Sequence, residues 1–386
     1  MTAPLIRGWC PGARRPMMAG DGLVLRVRPP LGELTPAQAT GLADLAQLHG
    51  NGLIEMTSRA NLQLRGLSDD AHALLIEALA GLDLLDADVQ VEARRNIVLD
   101  PFRPVGPGVQ NRIAAGLMQG LALPEFAALP SKFGFVVDAG PQRQLARISG
   151  DIRIESRRDG LILRADGSPM GRLVPDAETA VRLALDLARW FTASGGVGSD
   201  GRGRMARHLG QGAILPADLD GTHSPHATAA TPVPGRQAGG LCLGVAFGLL
   251  PAQALRQLAA SGAPVLRITP WRMIFLPGVA ATSVPEGMIQ DPADPILRVQ
   301  ACTGAPGCPQ ANIATRDLAR ELAASLPSWA RLHVSGCAKG CAQPGPADFT
   351  LLGGSGGFDL IRNGAAWDPP THRALSLAQI HEILGG

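Results

Sequence analysis

The feature that most restricts how this 386-residue chain can fold is an internal repeat. The stretch GLVLRV at Gly22–Val27 resembles GLCLGV at Gly240–Val245, and each alternates apolar residues as a strand does. The tetrapeptide PAQA follows in both copies, at 36–39 and 251–254, and opens an apolar-periodic, helix-like stretch. Thr35 before Pro36 has the chemistry of an N-cap with proline at the first helical position; Gly50 and Gly262 are the matching stops. TSRANLQLRGL at 57–67 then aligns without gaps on TPWRMIFLPGV at 269–279. Each half reads as strand, helix, strand, strand, the copies lying about 215 residues apart. A shared tetrapeptide means little in an alanine-rich chain. Agreement in order, spacing and element type means a duplication.

Between the copies, residues 94–101, 132–140, 146–156 and 160–166 alternate like strands, and 176–196 reads as an amphipathic helix with an acidic start and a glycine stop. Residues 219–240, rich in Thr, Pro, Ala and Gly, read as the linker between halves. Net charge is +2, so no strong field favours nucleic acid or an anionic membrane. The apolar run 241–250 is about half the length of a membrane span. Arg14-Arg15 is followed by Pro16, Asp21 and glycines rather than the apolar region of an export signal, so the expected location is the cytoplasm. In that reducing compartment six cysteines do not make a disulfide scaffold; clustered ones bind metal. Cys10 and Cys242 stand alone, and Cys242, between two leucines, reads as a small buried hydrophobe.

The other four cysteines are clustered: Cys302-x5-Cys308, then Cys337-x3-Cys341. Structural zinc prefers tight pairs, which the second pair allows and the first does not. An iron–sulfur cluster needs four converging thiolates and tolerates wider loops. Gly304, Gly307, Gly336 and Gly340 would let the backbone wrap an inorganic group, and Pro309 is expected to start a helix whose N–H groups face its negative charge. On chemistry alone zinc remains open and the cluster is favoured. No G-x-G-x-x-G opens a βαβ unit, so no Rossmann-type nicotinamide site is expected; GGSGG at 353–357 reads as a loop.

Cys-x5-Cys…Cys-x3-Cys in the second half of a duplicated chain resembles the nitrite/sulfite reductase superfamily. The resemblance implies an α+β, pseudo-twofold duplicated nitrite/sulfite reductase-like fold. Its parts would be a first ferredoxin-like half-repeat (1–90), a first α/β domain (91–218), a linker (219–239), a second half-repeat (240–290) and a [4Fe-4S]-binding domain (291–386). It makes Cys302, Cys308, Cys337 and Cys341 the cluster ligands. Arg59 matches an arginine of the reductases' NRQTFQ strand, Arg95 that of their Arg-Asn motif, and Lys132 the first lysine of their Lys-x-Lys pattern; these three line a tetrapyrrole cavity. Guanidinium and ammonium groups there suit carboxylate recognition. Asn96 and Asn312 read as structural caps or as orienters of these groups.

The second lysine of the pattern is Gly134. Reduction of a small oxyanion needs cations and proton donors there, and glycine supplies neither. Residues 10–34, 132–140 and 336–344 instead resemble the precorrin-3B synthase family. That resemblance implies oxygen-dependent hydroxylation of precorrin-3A at C20 with γ-lactone formation, in aerobic cobalamin biosynthesis. It also implies dioxygen, a [4Fe-4S] cluster, a mononuclear non-haem iron, and an external electron donor drawing on NADH through a reductase or ferredoxin. A sirohaem-dependent sulfite or nitrite reductase is the alternative. No ligand set for the mononuclear iron emerges: His223 and His226 lie in the linker, and His208 sits in a basic stretch, 199–210, that equally suits gripping carboxylates.

Overall fold

A computed structural model describes residues 10–354 and 356–385. The two half-repeats build two antiparallel sheets, and each half lends a strand to the other. The first sheet runs Met17–Ala19, Gly22–Val27, Leu62–Leu67, Leu53–Met56, and is completed by Leu249–Pro251 from the second half. The second runs Gly235–Gln237, Gly240–Val245, Met273–Pro277, Leu266–Ile268, and is completed by Glu33–Leu34 from the first. The helices after the exchanged strands, Pro36–His49 and Ala252–Ala259, pack on one another. One apolar core therefore holds Leu25, Leu42, Ile54 and Leu64 together with Leu243, Leu255, Leu266 and Ile274. The first helix starts where expected, on a capping box in which Thr35 Oγ1 accepts from Gln38 N (3.2 Å) and Gln38 Oε1 from Thr35 N (2.9 Å).

The symmetry extends to single hydrogen bonds. Thr57 Oγ1 accepts from Arg59 N (3.3 Å) and Asn61 N (3.1 Å), as Thr269 Oγ1 does from Trp271 N (3.3 Å) and Met273 N (3.1 Å). Ala60 and Arg272, next in each turn, share the left-handed conformation at φ 56° and 60°. Trp271 thus occupies the place of Arg59 in the other half.

Two further sheets repeat a second pattern that the sequence comparison of the halves did not reach. Ile97–Leu99, Phe135–Asp138 and Ile152–Arg157 are parallel, followed by antiparallel Gly160–Ala165 and Arg172–Val174. Val299–Ala301, Leu332–Ser335 and Ala347–Gly354 repeat the parallel set, and Gly357–Gly364 and His372–Leu375 the antiparallel pair. Asp100 N donates to Val137 O (3.0 Å) just beyond the first strand of one sheet, and Cys302 N to Val334 O (3.4 Å) in the other. Helices Val109–Leu121 and Ala177–Ala193 cover the first of these sheets, and Arg316–Ala323 and Leu377–Gly385 the second. Among the described residues no helix is long and apolar enough to cross a membrane.

One local expectation is corrected and two gain detail. The helix expected from Pro309 begins at Arg316, because 302–315 is held in turns around the cysteines. The linker is laid against the first α/β sheet by bridges Arg143–Thr228 and Gly171–His223, which fix His223 as a backbone partner. The glycines of 353–357 form a tight hairpin with Gly354 opposite Gly357, while Ser355 lies outside the described residues.

Candidate active site

The cysteines lie on two loops that leave neighbouring parallel strands, so both loops emerge at the same sheet edge. Asn312 N donates to Gly336 O (2.9 Å) and Gly336 N to Cys302 Sγ (3.2 Å), joining the loops. Thr315 Oγ1 donates to Cys302 O (2.7 Å) and Ser335 Oγ to Cys337 O (2.8 Å), fixing the backbone on either side. Gly336 is required by closeness: a β-carbon there would fall 2.5 Å from Ala311 Cβ. Gly304 is required twice over, by its φ of 68° and by Thr315 Oγ1 2.5 Å from where a β-carbon would stand.

All four thiols are free of disulfides and share one electrostatic neighbourhood. Burial foremost pushes the Cys341 thiol up; Lys339 opposes this, and Cys302, Cys337 and Cys308 add to it. Among the described residues no three His, Cys, Asp or Glu side chains are grouped as the ligands of a single metal ion. Four thiols on two glycine-shaped loops fit a four-iron cluster, which takes one thiolate at each corner of a body several ångströms wide.

The first half-repeat grips the cysteine loop. Arg65 forks onto Asp21 (3.0 and 2.7 Å), reaches Glu55 (3.4 Å) and donates from Nη2 to Gly307 O (2.9 Å), beside Cys308. Glu55 is also paired with Arg316 and accepts from Thr303 Oγ1 (3.4 Å). Burial pushes the Glu55 carboxyl up, but Arg316 and Arg65 together hold it below its ordinary value.

A cationic wall stands where the same half-repeat meets the first α/β sheet and its loops. Arg59 Nη2 donates to Lys132 O (2.8 Å), and Asn96 Nδ2 donates to Ser131 O (3.0 Å) and Phe133 O (3.1 Å), so the backbone around Lys132 is held at three carbonyls. Burial lowers the Arg59 pKa, and the like charge of Arg204 lowers it further. Gly134 N donates to Asp151 Oδ2 (2.9 Å), whose other oxygen accepts from Arg204 Nε and Met205 N (both 2.9 Å). A β-carbon at Gly134 would meet nothing nearer than 3.4 Å, so glycine is not there for want of space. Arg95 is placed differently from Arg59 and Lys132. Its guanidinium is buried, forked onto Asp86 (2.6 and 2.8 Å) and donating to Arg28 O (2.7 Å).

Several site residues escaped sequence reasoning. Cys10 is one: burial would raise its thiol pKa, but Arg26, by charge and hydrogen bond, with Lys132 and Arg59, brings it below the ordinary value. Arg28 is another, buried with Nε and Nη1 unpartnered and its pKa lowered by burial to about 10. The alternation RVR in Arg26–Arg28 was the available signal. His208 is structural: its Nε2 meets Ser194 Oγ (2.8 Å) and its ring lies against Trp190 and Phe191.

Residues 15–82 match the nitrite/sulfite reductase ferredoxin-like half domain family. A precorrin-3B synthase of Sinorhizobium sp is 31% identical over 95% of this chain and 84% of its own length. The chain belongs to the precorrin-3B synthase family. It is an enzyme, an oxidoreductase, of the nitrite/sulfite reductase superfamily. A ferredoxin–nitrite reductase of Synechococcus elongatus is more distant, 25% identical over 88% of this chain and 77% of its own length. The NirA protein of Mycobacterium tuberculosis shares the fold, with a TM-score of 0.68 at 16% identity, over 93% of this chain and 79% of that one.

Proposed function

We propose that the chain is a precorrin-3B synthase: it hydroxylates precorrin-3A at C20 using dioxygen and closes a γ-lactone from the ring A acetate. The carrying observation is the 31% identity to a precorrin-3B synthase over 95% of the chain. Cys302, Cys308, Cys337 and Cys341 hold a [4Fe-4S] cluster. When bound, such a cluster supplies single electrons, here from an external donor drawing on NADH. A mononuclear non-haem iron belongs to the same reading.

In this reading Arg59 and Lys132 receive carboxylate arms of the macrocycle, since fixed cations beside a buried face recognise carboxylates with little reorganisation. Arg95, committed to Asp86, braces the wall from behind. Gly134 withholds the cation that a small oxyanion would need, and its N–H is taken by Asp151. The site works in the cytoplasm, and the boundaries 1–90, 91–218, 219–239, 240–290 and 291–386 delimit its working parts.

Anaerobically purified protein tests this reading. The expected result is acid-labile sulfide at about four per chain, iron at about five per chain once the mononuclear iron is counted, and a broad visible shoulder. A Soret band from sirohaem would make the chain a sulfite or nitrite reductase, and zinc without sulfide would remove both readings.

A further inference from the structure

Beside Lys132 lies a cavity of about 430 Å³, lined by Lys132, Ser131, Arg202, Arg204, Arg207 and one acid, Asp200. Segment 200–207 builds one side of it, and its cations divide into two kinds. Arg204 faces inward: its Nε meets Asp151 Oδ1 (2.9 Å) and its Nη2 meets Ser149 Oγ (2.9 Å). The His208–Ser194 contact ties the far end of the segment to helix Ala177–Ala193. Arg202 and Arg207 are exposed, and the first has only a loose partner, Asp200 at 3.7 Å.

The loop is set before any ligand arrives. Gly198 N donates to Arg202 O (2.7 Å), Gly201 N to Gly198 O (2.9 Å) and Arg202 N to Asp200 Oδ1 (3.0 Å). At Gly203 a β-carbon would lie 2.1 Å from Gly196 O, so the turn is tight as well as bonded. The cavity adjoins the cationic wall, because the Lys132 carbonyl receives Arg59 and Arg204 acts electrostatically on Arg59. Two exposed guanidiniums, Arg202 on the bonded turn and Arg207 in the short helix Met205–Gly210 that follows it, next to a lysine, are chemistry for carboxylates.

We propose that segment 200–207, a turn running into the helix Met205–Gly210, is a docking clamp for carboxylate arms of the macrocycle, with Arg202 and Arg207 making the contacts and Arg204 positioning them. The inference rests on the macrocycle reading above. It adds a second anchoring point outside the wall of Arg59 and Lys132. Arms held there are remote from the reacting carbon, so the contacts act equally in ground and transition states.

The test compares the holoenzyme with its Arg202→Gln/Arg207→Gln variant, using metal-free uroporphyrin as the binding probe and precorrin-3A for turnover. Both residues are exposed, so unchanged melting and iron content verify the fold. The clamp predicts probe binding weakened roughly tenfold or more, a flatter salt dependence, and a raised KM with kcat little changed. Arg207→Lys in the Arg202→Gln background restores part of the loss. If wild type binds the probe and the double variant binds it as tightly, the clamp is overturned and the function stands. If wild type takes neither macrocycle, both fall.

Discussion

Gly336 shows how much one residue decides. Its missing β-carbon lets the two cysteine loops approach, with Ala311 Cβ only 2.5 Å from where it would be. Gly336→Ala therefore has to spread Cys302 from Cys337, and iron and sulfide per chain are expected to fall by at least about half. Gly345→Ala is the control, since a β-carbon there meets nothing within 4 Å; equal iron in both variants would refute the argument. His333, fully buried with both ring nitrogens unpartnered, sets a pH dependence. Burial, with Arg272 beside it, lowers its pKa from 6.5 to about 4. The unfolded chain thus binds a proton that the folded chain refuses, and stability falls as pH drops through that window. The contribution is at most about 3.5 kcal/mol. His333→Leu should flatten the melting temperature across that window relative to wild type, and parallel curves would show that His333 plays no part.

At the scale of elements, the network of Asp21, Glu55, Arg65, Thr303 and Arg316 fastens the first half-repeat to the cysteine loop. Arg65→Met leaves partly buried Asp21 without its cation and Glu55 with Arg316 alone. It is expected to cost about 3 kcal/mol by denaturant unfolding. A loss below about 0.5 kcal/mol would mean that the pairs are screened as surface pairs are. None of this network was legible in the sequence, because Arg65 and Gly307 are 242 residues apart and only the fold brings them together. Local signals read better. Thr35 before Pro36 announced the N-cap, to which the fold adds Gln38, and the gapless match of 57–67 with 269–279 marked stretches that open on the same turn. The helix expected at Pro309 failed because proline and a loose periodicity were read locally, while 302–315 is shaped by the loop facing it.

Over the whole molecule the pseudo-twofold axis creates two equivalent places, and the chain fills them differently. Arg59 of the first half is matched by Trp271 in the second, and Cys302 of the second by Asp100 in the first. Trp271 stacks on Phe102 at 6.1 Å, and Phe102 meets Phe275 edge-on at 5.0 Å, closing the counterpart with aromatic rings. The duplication was visible in the half-repeats, but its continuation into the α/β sheets was not, since sequence similarity has faded there and the strand order has not. The two places thus carry different chemistry, a guanidinium and thiols in one and packed aromatic rings in the other.

The most direct test supplies the anaerobically purified enzyme with precorrin-3A, dioxygen and a reducing system, and follows the macrocycle by mass spectrometry. The account predicts a product heavier by one oxygen atom, labelled when the dioxygen carries oxygen-18. Unchanged precorrin-3A, from protein that holds its cluster and reduces sulfite or nitrite instead, would contradict it.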